Sequence, residues 1–255
     1  EQRAAYDEDG FVVCRGLLDP ARDLDPVLGE YAGVLDALSQ ELFDAGEITS
    51  LYAELPFGRR LSQIYSETRK VFAGHFDCTL SMVGIEANSP IWVGPAVFDL
   101  LCNEHLLDVL EDLIGGEIYS NPVQHVRIKP PEKYLPSVHV DERSGRVAGF
   151  AVGATPWHQD NGVVLPIADE TEMITVWVAV TDATVENGCL EVIRGSHREG
   201  LLPHCPSDGL GLAIPDQELE LDRVVTCPMQ RGDVLFMHRR TCHSSLPNRI
   251  DDARI

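Results

Sequence analysis

The spacing of apolar side chains divides the chain into a half with helical periodicity and a half with strand periodicity. In the segment 24–43, apolar residues recur at steps of three and four, which predicts a helix with one buried face. The segment 95–116 repeats this spacing and ends at a Gly-Gly pair, which is typical of a helix C-terminus. Residues 10–13 predict a short strand, and the pair Asp19-Pro20 predicts the start of a helix.

From about residue 117 onward, short segments with strand character alternate with turn residues. Residues 122–131 alternate apolar and polar side chains, whereas residues 173–182 are apolar on both faces, as in a strand inside a sandwich. The pair Asn187-Gly188 predicts a hairpin turn before another strand. A further strand is predicted at 234–238.

These elements predict a mainly β fold with packed helices, in which the strands form a sandwich or barrel. We expect one domain over 1–255, with a mostly helical support region at 1–120 and the β core at 121–255. The chain opens without methionine and stops abruptly, so we expect a fragment truncated at the C-terminus, with targeting signals at either end left open.

Composition and charge narrow the range of partners. The formal net charge of −21 argues against nucleic acid and against anionic membrane surfaces. No apolar segment approaches the ~20 residues of a membrane helix. Seven cysteines without a CxxC pair predict reduced thiols and a cytoplasmic location. The expected partner is a small-molecule substrate.

Three residues are candidates for a metal site. His158 and Asp160 stand two positions apart, and residues at this spacing on a strand point to the same side. His243 is expected to arrive from another strand of the same sandwich. Two imidazoles and one carboxylate on one side of an ion are the expected ligands of non-haem Fe(II) enzymes that activate O₂. Zinc is the competing metal, since the same donors make catalytic zinc sites.

A second feature favours iron with 2-oxoglutarate as cosubstrate. Such an enzyme needs a cation, usually beside a hydroxyl, to hold the distant carboxylate of 2-oxoglutarate. Ser245 follows His243 on the same strand face, and Arg254 follows beyond a turn. The planar fork of arginine suits a carboxylate.

Two other histidines compete for these roles. His238 is the alternative to His243, but its place at the end of a strand is typical of a structural histidine. His139 and Asp141 form a second His-x-Asp pair in a polar, charged stretch, which we interpret as a solvated loop.

Several motifs around these residues, over roughly 120–255, resemble the phytanoyl-CoA dioxygenase family, and residues 6–19 also resemble its N-terminal strand entry. The matching motifs are His158-Gln159-Asp160, Asn187-Gly188-Cys189-Leu190, Gly195-Ser196-His197, Gly232-Asp233-Val234, and His243-Ser244-Ser245 with Asn248 and Arg254. Two positions depart from the family pattern: Arg194 stands where proline is usual, and Ser244 where glycine is frequent.

The resemblance implies a double-stranded β-helix core (a jelly-roll, cupin-like fold) that binds Fe(II) and uses 2-oxoglutarate and O₂. It also implies hydroxylation of a substrate with release of succinate and CO₂. Related halogenases lack the carboxylate ligand, so Asp160 favours hydroxylation or desaturation. In that fold the strand of Arg254 belongs to the sheet facing the histidine strand.

Further contacts to the cosubstrate are open to two interpretations. His125, Arg127 and Lys129 alternate on one face of a predicted strand, which is either half exposed or supplies a polar contact, with Lys129 as the candidate. Trp177 is expected in the core and pocket wall. Gln159 points away from the ligands by strand alternation, yet a twist at the strand end leaves a cosubstrate contact open.

Other functions fit the chain less well. A cupin-like metalloenzyme without cosubstrate does not need Arg254 and Ser245, and a catalytically silent binding or regulatory protein does not need intact ligands. A hydrolase is disfavoured because no GxSxG motif is present. Nothing indicates coenzyme A as part of the substrate, and the oligomeric state is left open.

Overall fold

The computed structural model describes residues 2–79, 86–121, 124–135, 139–140, 147–148, 153–168, 170–207 and 211–255. Its α-helices all lie in the first half of the chain: α1 Gln2–Asp9, α2 Asp25–Asp44, α3 Phe57–Thr68, α4 Pro95–Leu101 and α5 Glu104–Ile114. None of these helices is long and apolar enough to cross a membrane.

The β-strands lie mostly in the second half of the chain. They are β1 Phe11–Cys14, β2 His139–Val140, β3 Val147–Ala148, β4 Thr155–His158, β5 Ile174–Val178, β6 Leu190–Ile193, β7 Cys205–Ser207, β8 Gly211–Ala213, β9 Val224–Cys227, β10 Val234–His238 and β11 His243–Ser245.

Two antiparallel sheets organise these strands. One sheet has the order β1-β10-β5, so the first strand of the chain pairs with one of the last. The other has the order β4-β11-β6-β9, and β2-β3 and β7-β8 form two separate ribbons. The fold is therefore a mixture of helices and antiparallel sheets.

The three-stranded sheet lies between the helices and the four-stranded sheet. Along β10, Val234 and Phe236 belong to the apolar cluster that also contains residues of α2 and α3. Leu235 and Met237 belong to the cluster that contains residues of β6 and β9. Because successive side chains of a strand point to opposite faces, one strand joins both layers.

The predictions for the flanking elements are largely confirmed. The predicted helix at 24–43 is α2, and Tyr31 and Leu35 lie on its buried face. Asp19 caps the helical turn that precedes it, since its carboxylate accepts hydrogen bonds from the backbone of Ala21 and Arg22. The segment predicted to be apolar on both faces contains β5.

Three predictions about local structure are wrong. The helix predicted at 95–116 is two helices, because Asn103 accepts a hydrogen bond from the backbone of His105 and starts α5 as a new helix. The pair Asn187-Gly188 forms a turn but no hairpin, since the strands before and after it belong to different sheets.

The third is the strand predicted at 122–131. The described part, 124–131, forms only an isolated bridge between Lys129 and Arg254. Pro130 and Pro131 follow that bridge, and proline has no N–H with which to continue a ladder. Residues 122–123 lie outside the described residues.

The C-terminal residues form backbone hydrogen bonds with the segment that follows β5 and with Lys129. Thr181 donates its backbone N–H to the carbonyl of Ile255 (3.0 Å), and Arg254 and Lys129 exchange backbone hydrogen bonds of 3.0 and 2.7 Å. Arg254 thus lies next to the sheet that faces β4 and β11.

Candidate metal centre and cation pocket

His158, Asp160 and His243 meet at one point between the two sheets. One donor atom from each lies within 4.8 Å of the others, and Nε2 of each histidine is 3.7 Å from Oδ1 of Asp160. A metal ion with bonds of about 2.1 Å fits among these atoms after small side-chain adjustments. We call these three residues the ligand cluster.

The strands bring the two histidines together. β4 and β11 are antiparallel neighbours, and His158 is the register partner of His243. Their rings lie 4.1 Å apart between centroids. Asp160 is not on a strand, because β4 ends at His158 and Asp160 begins a 3-10 turn over Asp160–Val163. The turn, and not strand alternation, directs its carboxylate towards the imidazoles.

Backbone carbonyl groups set the orientation of both imidazoles. Nδ1 of His158 lies 2.9 Å from the carbonyl oxygen of Pro156, and Nδ1 of His243 lies 3.0 Å from that of Thr241. Nδ1 therefore carries the proton and donates it, which leaves the lone pair of each Nε2 directed at the cluster. This is the tautomer that a metal-binding histidine requires.

Thr175 orients the carboxylate. Its hydroxyl, on β5, donates a hydrogen bond to Oδ2 of Asp160, while Oδ1 faces the two histidines. Thr175 was not identified from the sequence. No motif of the sequence indicates this role, because the contact between Thr175 and Asp160 is made only in the fold.

Electrostatics keep the cluster in the form that binds a cation. Burial, followed by the proximity of His243, lowers the pKa of His158 to about 4, so His158 is neutral at physiological pH. Burial alone raises the pKa of Asp160, but the neighbouring histidines and the Thr175 hydroxyl outweigh it and lower that pKa. Asp160 is therefore a carboxylate.

A second group of residues, which we call the cation pocket, consists of Lys129, Trp177, Ser245 and Arg254. The Arg254 guanidinium carbon lies 5.1 Å from the centre of the Trp177 ring, and the residue is 2% exposed. Its Nε has no hydrogen-bond partner among the described residues. Burial lowers the pKa of Arg254 to about 10. A buried guanidinium in this state is suited to an anionic ligand.

Lys129 and Ser245 complete this pocket. Nζ of Lys129 donates to Oγ of Ser245 (2.7 Å) and to the carbonyl of Leu246 (2.5 Å). Oγ of Ser245 also accepts a hydrogen bond of 3.0 Å from the backbone of Thr155. Burial, together with the positive charge of Arg254, lowers the pKa of Lys129 to about 7.

Three segments each contribute residues to two regions, the ligand cluster with its immediate surroundings and the cation pocket. Each segment supplies one residue at or beside the ligand cluster and another, two positions further along the chain, in the cation pocket. Two residues of extended chain span about 7 Å, which sets the separation of the two groups. The pairs are His243 and Ser245, Thr175 and Trp177, and Arg127 and Lys129.

Gln159, which we considered for a cosubstrate contact, has a different position. Its side chain is fully buried and donates to the carbonyls of Gly200 (2.8 Å) and Arg240 (2.6 Å). Its amide oxygen accepts from the backbone of Leu202 (2.8 Å). The amide therefore ties the loop that carries Asp160 to neighbouring backbone, and all of its described hydrogen bonds are to backbone groups.

His204 supports the same loop and was missed from the sequence. Its Nε2 accepts a hydrogen bond of 3.0 Å from the backbone N–H of Gln159, and its Nδ1 lies 2.9 Å from the carbonyl of Leu202. Its ring occupies the space where a Cβ at Gly162 would lie. No motif of the sequence indicated this role, because the two segments are brought together only by the fold.

The competing histidines are placed elsewhere or not described. The ring of His238 lies 5.2 Å from that of His197 and 6.5 Å from that of Tyr6, away from the ligand cluster. His139 is in the short strand β2, but its side chain and Asp141 lie outside the described residues.

The fold and the site together define the class of protein. It is a helix-and-sheet protein in which two imidazoles and one carboxylate lie beside a buried cation pocket. The profile of the phytanoyl-CoA dioxygenase (PhyH) family matches residues 6–255. The chain therefore belongs to this family.

Individual relatives agree with this assignment. A probable phytanoyl-CoA dioxygenase of Caenorhabditis elegans is 29% identical over 63% of this chain and 48% of its own length. The 1-deoxypentalenic acid 11-beta-hydroxylase of Streptomyces exfoliatus is 26% identical over 93% of this chain and 78% of its own. The chain spans about half or less of the length of most curated relatives that it matches.

One solved structure illustrates the shared fold. EvdO2 from Micromonospora carbonacea var. aurantiaca, in complex with 2-oxoglutarate, has a TM-score of 0.53 and 19% identity to this chain. The match covers 99% of this chain and 86% of EvdO2.

Proposed function

We propose that this protein is an Fe(II)- and 2-oxoglutarate-dependent dioxygenase that hydroxylates or desaturates a small molecule. The observation that carries the proposal is that the ligand cluster lies close to the buried Arg254, whose Nε has no hydrogen-bond partner among the described residues. We further propose that the two sheets are the halves of a double-stranded β-helix, and that 1–255 is a single domain. The seven unpaired cysteines support a cytoplasmic location.

The donor atoms of the ligand cluster fit iron. His158, Asp160 and His243 supply two imidazole nitrogens and one carboxylate oxygen, which is the facial set expected of non-haem Fe(II) oxygenases. Zinc accepts the same donors, but a zinc enzyme does not require the cation pocket.

The cation pocket fits the far carboxylate of 2-oxoglutarate. Arg254 supplies the guanidinium, Ser245 the hydroxyl, and Lys129 an ammonium beside them. The ring of Trp177 lies beside the Arg254 guanidinium. The separation of about 7 Å between the pocket and the ligand cluster suits a short dicarboxylate held at both ends.

Iron, with 2-oxoglutarate and O₂, supplies the oxidising chemistry when bound, and the cosubstrate leaves as succinate and CO₂. The protein's own residues position the reactants. Thr175 and the two backbone carbonyls hold the three ligands in a fixed orientation, so little reorganisation accompanies binding. Arg254 and Ser245 fix the direction of the cosubstrate.

Shielding is the second contribution of the protein. The side chains of His158, Asp160 and His243 are 16%, 23% and 8% exposed. The cluster is thus largely protected from bulk water but still partly accessible to solvent.

The alternatives of the same fold have distinct consequences. A cupin-like metalloenzyme without cosubstrate leaves the buried Arg254 without a ligand, at a cost in stability. A silent binding protein retains the ligands but forms no succinate. Both alternatives predict that 2-oxoglutarate is not consumed.

The test is to reconstitute the protein with Fe(II) without oxygen, add 2-oxoglutarate and a metabolite library, and measure succinate after admitting O₂. We expect substrate-stimulated succinate release that is lost in His158→Ala and in Arg254→Gln. Equal release by wild type and His158→Ala, in the presence of every metabolite, contradicts the proposal.

A further inference from the structure

The segment that contributes Lys129 to the cation pocket also carries Arg127, which the proposed chemistry does not use. We propose that Arg127 receives an anionic group of the substrate, so that the substrate class is small organic acids. This inference rests on the proposed function, because it places the acid beside the ligand cluster.

The packing of the segment determines which side Arg127 occupies. Ile128 is 3% exposed and belongs to the apolar cluster of the helices, and Val126 packs against the same cluster. In an extended chain, Arg127 and Lys129 then lie on the opposite side. Lys129 is seen there in contact with Ser245.

Arg127 is therefore separated from Lys129 by about 7 Å along the extended segment. The charges of Asp77 and Asp160 both act on its guanidinium. Asp160 in turn has its pKa lowered partly by Arg127. The guanidinium is thus close enough to the ligand cluster to interact with the charge of Asp160.

The Arg127 side chain combines solvent exposure with close protein contacts. The residue is exposed to solvent, yet burial is the main cause that lowers its pKa. Both hold for a side chain that protein surrounds closely and water still reaches. The protein around the guanidinium lowers the local dielectric constant, which strengthens an ion pair with a bound anion.

The start of the segment is held firmly. Nδ1 of His125 lies 2.9 Å from Oδ2 of Asp77, and the backbone N–H of Val126 donates to the other oxygen of Asp77 (3.3 Å). Asp77 is 7% exposed. Arg127 is thereby held on a segment fixed at both ends, by Asp77 on one side and by the Lys129–Arg254 bridge on the other.

Because the chain is strongly negative, the binding of an acidic substrate requires a positively charged residue at the binding site. With a net charge of −21, the protein repels anions at long range, so an acidic substrate requires a specific contact to be retained. Arginine offers the planar pair of donors that a carboxylate accepts.

The test uses the full chain and a panel of aliphatic, alicyclic and aromatic monocarboxylic acids, each beside its methyl ester. Binding is measured by ligand-observed NMR on protein loaded with Zn(II) and 2-oxoglutarate, and stimulation by succinate release from the iron-loaded protein. Arg127→Gln is compared with wild type, with Arg127→Lys, and with Arg59→Gln on the exposed surface of α3.

We expect at least one acid to bind and to stimulate succinate release more than its ester. In Arg127→Gln the preference for acid over ester falls at least tenfold, Arg127→Lys retains part of it, and Arg59→Gln matches wild type. The proposal is overturned if no acid binds, if esters act as well as acids, or if Arg127→Gln keeps the preference.

A different result would reject the proposed oxygenase function without deciding the role of Arg127. If the iron-loaded wild type releases no succinate with any compound, the oxygenase is rejected. The NMR comparison of acids with esters still reports on Arg127 in that case.

Discussion

Nζ of Lys129 donates a hydrogen bond of 2.7 Å to Oγ of Ser245, the residue two positions after the ligand-cluster histidine on β11. Lys129 is bridged to Arg254 through the backbone, so this contact connects Arg254 to the four-stranded sheet that carries His243. Both residues are nearly buried, at 4% and 6% exposed. The contact places an amine whose pKa is about 7 inside the proposed site for a dianion.

The affinity for 2-oxoglutarate is expected to depend on pH through Lys129. The pKa of this amine is about 7 in the free protein, and the bound dianion raises it. Binding therefore takes up a proton above that pH, and the affinity falls by up to about tenfold for each pH unit of increase. Below about pH 7 the amine is already protonated, and the affinity is independent of this group.

Calorimetric titrations of the metal-loaded protein across this pH range measure the effect. Lys129→Met is expected to weaken binding at low pH and to remove the slope. Lys133→Met is the control, because Lys133 is exposed and pairs with Asp251. A slope that persists in Lys129→Met argues against this role of the amine.

Thr175→Val is expected to weaken metal binding by roughly 10- to 100-fold, because the hydroxyl that orients Asp160 is lost. The strand pairing of β5 with β10 does not depend on this hydroxyl, so the fold is retained. The dissociation constant for Co(II) or Fe(II), measured without oxygen, gives the result.

Thr175→Ser restores the hydroxyl and is expected to restore metal binding. Thr226→Val, on the exposed face of β9, provides the matched control for the change from threonine to valine in a strand. If Thr175→Val binds metal with wild-type affinity, the hydrogen bond to Asp160 does not orient the ligand.

Gly58→Ala is expected to weaken 2-oxoglutarate binding by roughly tenfold. A Cβ at Gly58, in α3, lies 2.8 Å from the backbone nitrogen of Ala253 and collides with the Asp252 carboxylate. These residues immediately precede Arg254, so the collision displaces the guanidinium from its position over Trp177.

The matched control is Gly33→Ala in α2, where a Cβ meets nothing within 4 Å. There the substitution is expected to raise the free energy of unfolding by up to about 1 kcal/mol, as for an ordinary helix position. Thermal unfolding and 2-oxoglutarate titration of both variants separate the two effects. If the two variants bind 2-oxoglutarate with equal affinity, the position of Arg254 does not depend on the close approach of Gly58.

The site residues that could be predicted are those with local signals. His158 and Asp160 were found from their spacing, although the reason was partly wrong, because β4 ends before Asp160. His243 was preferred to His238 because Ser245 follows it at the matching position. Such arguments use only residues close together in the chain.

The relationships that could not be predicted depend on contacts between distant segments. The pairing of β1 with β10 joins opposite ends of the chain, and no local pattern specifies it. The roles of Thr175 and His204 are of the same kind, since each residue has an ordinary sequence context and acquires its function from a neighbour across the fold. A single threonine in an apolar strand carries no signal of the carboxylate that it contacts.

The central claim is that one iron ion binds between His158, Asp160 and His243 and accepts 2-oxoglutarate. Anaerobic addition of Fe(II) and 2-oxoglutarate, followed by visible absorption spectroscopy, tests it most directly, because chelation of the keto acid by iron produces a metal-to-ligand absorption band. We expect the band in wild type and in His238→Ala, and its loss in His243→Ala. A band that survives in His243→Ala, or that is absent from wild type, would contradict the account.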